Sequence, residues 1–274
     1  MSEPPVRIET IDDPGDPRVA AYRDLKDALL RLRDGLFVAE SRTVVGRLLA
    51  CGRFRARSLL LTRPALDALG NLLDRLDPGT SVYLTHPVIV RSIVGYNFHR
   101  GCLALGERGA EPPLPALLEP SGPRLLLALE EISNPDNIGG VFRNAMAFAA
   151  DAVLLSDGCA DPLYRKAIRV SVGGSLCIPF ARVADWPVAL ARLRERGYTI
   201  MALTPRAGLD IAELARPIPE RIALVLGAEG GGLSAQTLAA VDLQARIAMA
   251  PGADSLNVAT ASGIALHHFR SMRG

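Results

Sequence analysis

Three clusters of polar residues and glycines in the second half of the chain hold the side chains best suited to chemistry. They are residues 134–143 (NPDNIGGVFR), 226–234 (LGAEGGGLS) and 251–257 (PGADSLN). Each cluster follows an apolar, strand-like run and precedes a helix-like run. Ligands of open α/β sheets bind beyond the carboxyl ends of the strands. The three clusters therefore predict a single composite site.

The first cluster combines amide side chains with a guanidinium on one predicted helix. Asn137 begins that helix, and Arg143 lies six residues later, about 120° away around the helix axis. Asn134 and Asp136 are natural helix caps. An arginine at this position can bind a phosphate or stabilise a developing alkoxide. The alternative is a surface arginine on a capped helix.

The other two clusters suit a ligand that is bound largely by backbone. Glycines around Glu229 remove side-chain bulk and permit positive φ, although an ordinary glycine turn has the same composition. Ser255 and Asn257 open the last predicted helix, either as caps alone or as part of the same pocket. No strand is followed by the dinucleotide fingerprint G-x-G-x-x-G, and neither G-x-x-x-x-G-K-[ST] nor G-x-S-x-G occurs.

In this order and spacing, the three clusters resemble the three motifs of the SpoU/TrmH branch of the SPOUT RNA methyltransferases. The resemblance covers about residues 123–274. Residues 37–40 (FVAE) and 98–101 (FHRG) also resemble the ribosomal-protein-like RNA substrate-binding domain attached to many members. Two positions depart from the pattern. Ser41 stands where that domain has a glycine, and Ala228 stands where the second motif commonly has asparagine.

The resemblance implies a C-terminal trefoil knot, a homodimer without a metal, and transfer of a methyl group from S-adenosylmethionine to an RNA ribose 2′-hydroxyl. The catalytic residues that it implies are Asn137, Arg143, Glu229, Ser255 and Asn257. Because an arginine stays protonated in proteins, we expect Arg143 to bind phosphate and stabilise negative charge. The implied cofactor-binding residues are Thr204, Pro205, Leu226, Gly227, Ala228, Glu229, Gly230, Gly231, Ile247, Met249, Ser255 and Leu256.

Basic residues gather in three stretches that contain no acidic residue, although the net charge is only +2. Local basic patches of this kind bind phosphates while the whole chain stays nearly neutral. The residues that we expect to contact tRNA or rRNA are Arg42, Arg53, Arg55, Arg100, Arg165, Lys166 and Arg169. A solvated helix face is the alternative for residues 164–169. The chain has only two lysines among 31 basic residues, a bias that GC-rich codon usage would also produce.

The proline-rich stretch 111–120 indicates two folded units: an RNA-binding domain (1–115) and a methyltransferase domain (123–274), joined by a linker (116–122). The first is predicted to be a small α/β domain and the second a parallel sheet covered by helices on both faces. Predicted strands are 36–39, 58–61, 81–84, 101–105, 124–129, 152–155, 198–203, 222–226 and 243–248. Predicted helices are 18–33, 41–50, 64–75, 87–94, 137–150, 164–169, 188–196, a helix from 234, and 255–272.

Composition describes an ordinary globular protein, with 49% hydrophobic and 22% charged residues. No apolar run approaches the ~20 residues needed to cross a bilayer, and no secretory signal is present, so we expect a cytoplasmic location. The four cysteines are far apart in sequence, which predicts isolated buried thiols and neither disulfides nor a zinc site.

Two other functions fit parts of the sequence. A catalytically inactive RNA-binding protein would keep the fold, but the intact polar residues of the three clusters argue against it. A nicotinamide-dependent oxidoreductase would need the absent fingerprint. Methylation of a base is an alternative to ribose methylation. Ile264, Leu266 and Phe269 of the last helix could form a dimer contact or pack within the chain.

Overall fold

The structure is a computed structural model of the 274-residue chain, and it describes residues 7–23, 35–95, 101–118, 124–214 and 217–273. The chain divides into two compact units. One contains residues 1–110 and 163–177, and the other contains residues 111–162 and 178–274. The sequence predicts an uninterrupted second domain from residue 123. The structure differs because residues 163–177 pack with the first unit.

The first unit is built on a five-stranded mixed sheet of order β1-β4-β3-β5-β2. Its strands are β1 (Ile8–Ile11), β2 (Leu36–Glu40), β3 (Ala56–Leu61), β4 (Ser81–Thr85) and β5 (Cys102–Glu107). The helices are α1 (Arg42–Cys51), α2 (Arg63–Leu69) and α3 (Pro87–Val94), with 3-10 turns at Pro17–Tyr22 and Gly70–Arg75. The alternation predicted for residues 36–105 is confirmed, whereas β1 was not predicted.

Two predicted helices of this unit differ from the structure. The helix predicted over 64–75 breaks at Gly70, where φ is +46° and the chain continues as a 3-10 turn. The helix predicted over 18–33 is a 3-10 turn as far as Tyr22, and residues 24–33 lie outside the described part of the chain. Proline and glycine at these positions favour tight turns over continued α-helix.

Ser41 occupies a backbone conformation that favours glycine. Its φ is 94° and its ψ is 152°, a region that side-chain-bearing residues rarely adopt. The Ser41 hydroxyl accepts a hydrogen bond from the backbone N–H of Val44 at 3.4 Å and so caps α1. At Ser41, an unfavourable backbone conformation is therefore partly offset by the helix cap that the side chain provides.

The second unit is built on a seven-stranded sheet of order β10-β12-β9-β11-β6-β7-β8, in which every pair of neighbours is parallel. Every residue of β6 and β7 is buried. Because successive side chains point to opposite faces, both faces of these central strands are covered, as predicted. The strands are β6 (Leu125–Glu130), β7 (Ala152–Ser156), β8 (Phe180–Val183), β9 (Thr199–Leu203), β10 (Leu209–Asp210), β11 (Ile222–Gly227) and β12 (Leu243–Arg246).

The helices after residue 110 fall in both units. In chain order they are α4 (Leu114–Leu117), α5 (Pro135–Ala147), α6 (Arg165–Val170), α7 (Gly174–Cys177), α8 (Trp186–Glu195), α9 (Ala235–Ala240) and α10 (Val258–Arg273). Of these, α6 and α7 belong to the first unit. The longer elements match the prediction within a few residues. The short strands β8 and β10 were not predicted because their few residues carry little periodic signal.

Residues 163–177 are attached to α1 and β2 by side-chain contacts and by a disulfide. Arg165 forms an ion pair with Glu40 at 2.7 Å, and the Arg47 guanidinium donates to the carbonyl of Val172. Cys51, at the end of α1, is bonded to Cys177, at the end of α7. The prediction of no disulfide is therefore wrong. The two cysteines are 126 residues apart in sequence, and only the folded chain brings them together.

The other two cysteines are buried free thiols, as predicted. Burial raises the pKa of Cys102 to about 12 and also raises the pKa of Cys159. Since the thiolate is the reactive form, these cysteines are inert packing residues at neutral pH.

We expect Ser41→Gly to stabilise the protein by about 0.5–1 kcal/mol. Relief of the backbone strain contributes ~1–3 kcal/mol, and the lost cap and the greater freedom of the unfolded chain offset part of this gain. Denaturant unfolding followed by circular dichroism measures the change. The control Ser41→Ala keeps the strain and loses the cap, so it should destabilise by ~1 kcal/mol. A Gly variant less stable than wild type would contradict this interpretation.

Candidate active site

The strand order brings four loops to one edge of the second sheet. Strands β12, β9, β11 and β6 are neighbours and all run in parallel, so the loops that follow them leave from the same edge. In the register of the sheet, Gly227 pairs with Glu130 at the ends of β11 and β6. The backbone N–H of Thr204, just after β9, donates to the carbonyl of Ala245 in β12 at 2.9 Å. The three sequence clusters therefore begin side by side.

Asn257 joins the three clusters directly. Its Nδ2 donates to Oδ1 of Asn137 at 2.8 Å and to Oε1 of Glu229 at 2.6 Å. Its Oδ1 accepts from the backbone N–H groups of Ala259 and Thr260 at 2.9 and 3.2 Å, which caps α10. A carboxylate can only accept, so the amide must direct its nitrogen toward Glu229. One side chain thus fixes one residue from each of the other two clusters.

A stripe of small and polar residues holds α5 against α10. Asn137, Gly140 and Asn144 follow the i, i+3, i+7 spacing and therefore lie on one face of α5. A Cβ built on Gly140 would lie 2.5 Å from the Cβ of Ala259, so only glycine permits this approach. Asn144 Nδ2 donates to the carbonyl of Ala259 at 2.6 Å and to Oγ of Ser262 at 3.0 Å. These contacts set the start of α10 beside the start of α5.

Arg143 lies on the exposed side of the same helix. It makes no hydrogen bond or ion pair with the residues that the structure describes. Asn137, by contrast, is only 6% exposed. At the helix start, Asn134 accepts a hydrogen bond from the N–H of Asp136 at 2.9 Å, which makes Asn134 the cap that the sequence predicts. The guanidinium is therefore available to a phosphate or to a developing oxyanion.

The glycine loop closes on itself and leaves open space beside it. A Cβ on Gly227 would lie 2.4 Å from the carbonyl carbon of Gly232, and the Gly232 N–H donates to the carbonyl of Ala228 at 2.9 Å. Gly230 has a φ of 83°. A Cβ on Gly230 or Gly231 would meet no atom within 4 Å. The loop therefore presents exposed backbone with room for a ligand against it.

The remaining predicted cofactor residues line the same edge with different exposure. Leu226 is buried, whereas Thr204, Ile247 and Met249 are half-buried. Pro205, Ser255 and Leu256 are exposed. Ser255 makes no hydrogen bond with the described residues, so the structure does not join it to the Asn257 network. The half-buried side chains suit the apolar parts of a ligand, and the exposed residues are free to contact its polar parts.

Comparison with known proteins identifies the family. The sequence profile of the SpoU rRNA Methylase family matches residues 124–267. An uncharacterized tRNA/rRNA methyltransferase of Mycobacterium tuberculosis H37Rv is 40% identical over 266 residues, which are 95% of this chain and 91% of that protein. This chain belongs to the SpoU rRNA methylase family. It is therefore an RNA methyltransferase that uses the family's methyl donor, S-adenosylmethionine.

Two further proteins are similar over large parts of the chain. A 23S rRNA (guanosine-2′-O-)-methyltransferase of Ralstonia nicotianae is 33% identical, over 65% of this chain and 71% of that protein. An AdoMet-bound rRNA methyltransferase from Sinorhizobium meliloti superposes with a TM-score of 0.81 at 24% identity, covering 96% of this chain and 98% of that structure. This structural likeness shows that the two chains share a fold.

Several basic residues predicted to contact RNA are engaged within the first unit of this SpoU methylase. Arg165 pairs with Glu40, Arg53 donates to the Ser175 carbonyl, and Arg55 lies 3.5 Å from the Asp77 carboxylate. Burial and geometry thus give Arg165 a structural role that the sequence did not suggest. Arg100 lies outside the described residues. The other predicted residues, Arg42, Lys166 and Arg169, are exposed.

Two residues of the SpoU methylase site were missed by the sequence analysis. Glu130, at the end of β6, is buried and hydrogen-bonded to residues that follow the glycine loop. Asn144 holds α5 to α10. The sequence features that could have indicated them are an acidic residue at the end of an apolar strand, for Glu130, and an amide seven residues after Asn137, for Asn144.

Among the described residues, no three His, Cys, Asp or Glu side chains form a metal-binding group, and no helix is long and apolar enough to span a membrane.

We expect Gly140→Ala to destabilise the SpoU methylase by about 1–3 kcal/mol, because the added carbon overlaps Ala259. Methyl transfer should also fall, since Asn257 moves away from Asn137. Adding Ala259→Gly should restore activity and return stability to near the wild-type value, because the ~1 kcal/mol of helix propensity lost at residue 259 is regained at residue 140. Thermal unfolding and methyl-transfer assays of the single and double variants test this. A fully stable, active Gly140→Ala protein would show that the two helices do not need this contact.

Proposed function

We propose that the protein transfers a methyl group from S-adenosylmethionine to a ribose 2′-hydroxyl of rRNA or tRNA. The observation that carries the proposal is the Asn257 side chain, which binds Asn137 and Glu229 while Arg143 stays exposed on the helix of Asn137. The name of the Ralstonia nicotianae relative gives its acceptor as a guanosine 2′-oxygen, which supports the ribose over a base.

The loops at the sheet edge fit the methyl donor. The open space beside Gly230 and Gly231 is what a backbone-bound ligand requires. Half-buried Ile247 and Met249 suit an adenine ring, and Thr204 opens the neighbouring loop. When bound, S-adenosylmethionine supplies an electrophilic methyl group on a sulfonium. The residues that would hold it are Thr204, Pro205, Leu226, Gly227, Ala228, Glu229, Gly230, Gly231, Ile247, Met249, Ser255 and Leu256.

Arg143 provides the charge needed on the acceptor side. A protonated guanidinium binds a phosphate through two parallel hydrogen bonds, and it stabilises negative charge that develops on a neighbouring oxygen. The proton of the hydroxyl passes to a phosphate or to water, because arginine does not deprotonate in proteins. Aligned geometry contributes ~7–11 kcal/mol to such reactions, and the Asn137–Asn257–Glu229 hydrogen bonds supply that order here.

The trefoil knot and the homodimer belong to the same proposal. The proposal of a knot rests on the family, and the non-sequential strand order β12-β9-β11-β6 fits it without requiring it. For the dimer, Leu266 and Phe269 are fully buried within the chain and cannot form the contact. Ile264 is 41% exposed, so of the three apolar residues that the sequence offers it is the one available to a second copy.

We assign RNA binding to the first unit, as the sequence predicts. Arg42 lies at the start of α1, while Lys166 and Arg169 lie on α6 of the same unit, and all three are exposed. Exposed arginine and lysine side chains bind RNA phosphates without regard to sequence. The cytoplasmic location stays a prediction from the sequence.

Arg143→Ala should abolish methyl transfer while S-adenosylmethionine binds as in wild type, since the guanidinium acts on the acceptor. RNA from a strain lacking the gene, incubated with radiolabelled donor, should gain 2′-O-methylnucleosides with wild-type protein but not with Arg143→Ala. Isothermal titration measures donor binding. The control Arg192→Ala removes an exposed arginine of α8 and should retain full activity. Near wild-type turnover by Arg143→Ala would refute the proposed role of the guanidinium. Detection of a methylated base in place of a 2′-O-methylnucleoside would show that the acceptor is a base and not the ribose.

Replacing Arg42, Lys166 and Arg169 together by alanine should weaken RNA binding and flatten its salt dependence. Each lost phosphate contact lowers the slope of log affinity against log salt by about 0.7–0.9. Filter binding of ribosomal RNA over a range of salt concentrations measures the slope, and donor affinity should not change. An unaltered slope in the triple variant would place the RNA contacts elsewhere. Arg192→Ala again serves as the matched control.

A further inference from the structure

Glu130 is a buried carboxylate that no part of the proposed chemistry uses. It ends β6 and is 6% exposed. Its carboxylate accepts hydrogen bonds from the hydroxyl of Ser234 at 2.7 Å, from the N–H of Ser234 at 3.2 Å and from the hydroxyl of Thr237 at 2.9 Å. It forms no ion pair with the described residues. A buried charge is costly, so three neutral donors directed at it indicate a specific role.

The position of Glu130 connects both ends of the glycine loop. At the entrance, Gly227 pairs with Glu130 in the register of β11 and β6. At the exit, Ser234 is the residue whose N–H and hydroxyl bind the carboxylate. Between them the loop closes through the hydrogen bond from Gly232 to Ala228. Glu130 therefore fixes both ends of the loop, through its backbone at Gly227 and through its carboxylate at Ser234.

The neighbours of Glu130 are arranged to donate to it. Trp186 Nε1 donates to the Thr237 hydroxyl oxygen at 3.1 Å, which directs the hydroxyl hydrogen of Thr237 toward Glu130. The Ser234 hydroxyl oxygen accepts from the backbone N–H of Thr237 at 3.1 Å, which caps α9. Because Ser234 and Thr237 both donate to it, the carboxylate of Glu130 accepts hydrogen bonds at both of its oxygens. A glutamine amide would direct an N–H group at one of these donors.

We propose that Glu130 is a positioning residue for the methyl donor. It fixes the shape of the loop over residues 227–233 and so determines how tightly S-adenosylmethionine binds, without touching it. The inference rests on the proposed function, because it takes this loop to be the donor site. It assigns a task in donor binding to a residue outside the three clusters.

Titration of S-adenosylmethionine into wild type and Glu130→Gln tests the proposal. We expect the Kd to rise about tenfold or more, which corresponds to ~1.4 kcal/mol. At saturating donor, kcat should stay within about threefold of wild type, since Asn137, Arg143 and Asn257 keep their contacts. Ser234→Ala removes one donor to the carboxylate from an exposed position, and it should raise the Kd by a smaller factor.

Asp151→Asn is the matched control. Asp151 accepts from the N–H groups of Arg124 and Leu125 at 2.8 Å, at the opposite end of β6 from Glu130. Its loss should lower the melting temperature and leave the donor Kd unchanged. Unaltered donor binding by Glu130→Gln and Ser234→Ala would overturn the proposal, as would a Kd that follows melting temperature across all three variants. If wild type itself binds no S-adenosylmethionine, the proposed function fails instead.

Discussion

The amide of Asn257 is the interaction on which the arrangement of this active site depends. Its oxygen satisfies two N–H groups at the start of α10, and its nitrogen donates to acceptors from two other loops. An aspartate at this position could cap the helix but could not donate a hydrogen bond. A serine has only one hydroxyl hydrogen, so it could not donate to both Asn137 and Glu229. The amide is planar and rigid. The helix start, Asn137 and Glu229 therefore cannot shift independently.

That single amide is effective only because the backbone beneath it is closely fixed. The parallel strands β11 and β6 are buried except at Gly227, the half-buried last residue of β11, and they place their loops side by side. Gly140 removes the one side chain that would separate α5 from α10. Buried packing thus fixes the backbone positions, and the hydrogen bonds of Asn257 depend on those positions. The same division recurs at the glycine loop, where Gly227 permits a backbone contact that any side chain would prevent.

The sequence predicted the elements and the clusters because both have local signals. Apolar runs bounded by glycine or proline mark most strands, and Asn257 follows directly on such a run and a turn. Contacts between distant residues have no such signal. The Cys51–Cys177 disulfide, the pairing of Arg165 with Glu40 and the placement of residues 163–177 all join positions more than a hundred residues apart. A charged residue on an exposed RNA-binding face and one in an ion pair look the same in sequence.

The path of residues 163–177 has a consequence for how the protein is made. The chain enters the first unit, leaves it after residue 110, returns for fifteen residues and departs again at residue 178. During synthesis, the amino-terminal half therefore emerges from the ribosome without the helices that complete it. The first unit can be completed only after β6, α5 and β7 of the other unit have been translated. The two units are thus not separable by a single cut, because a cut after residue 110 leaves the first unit without residues 163–177.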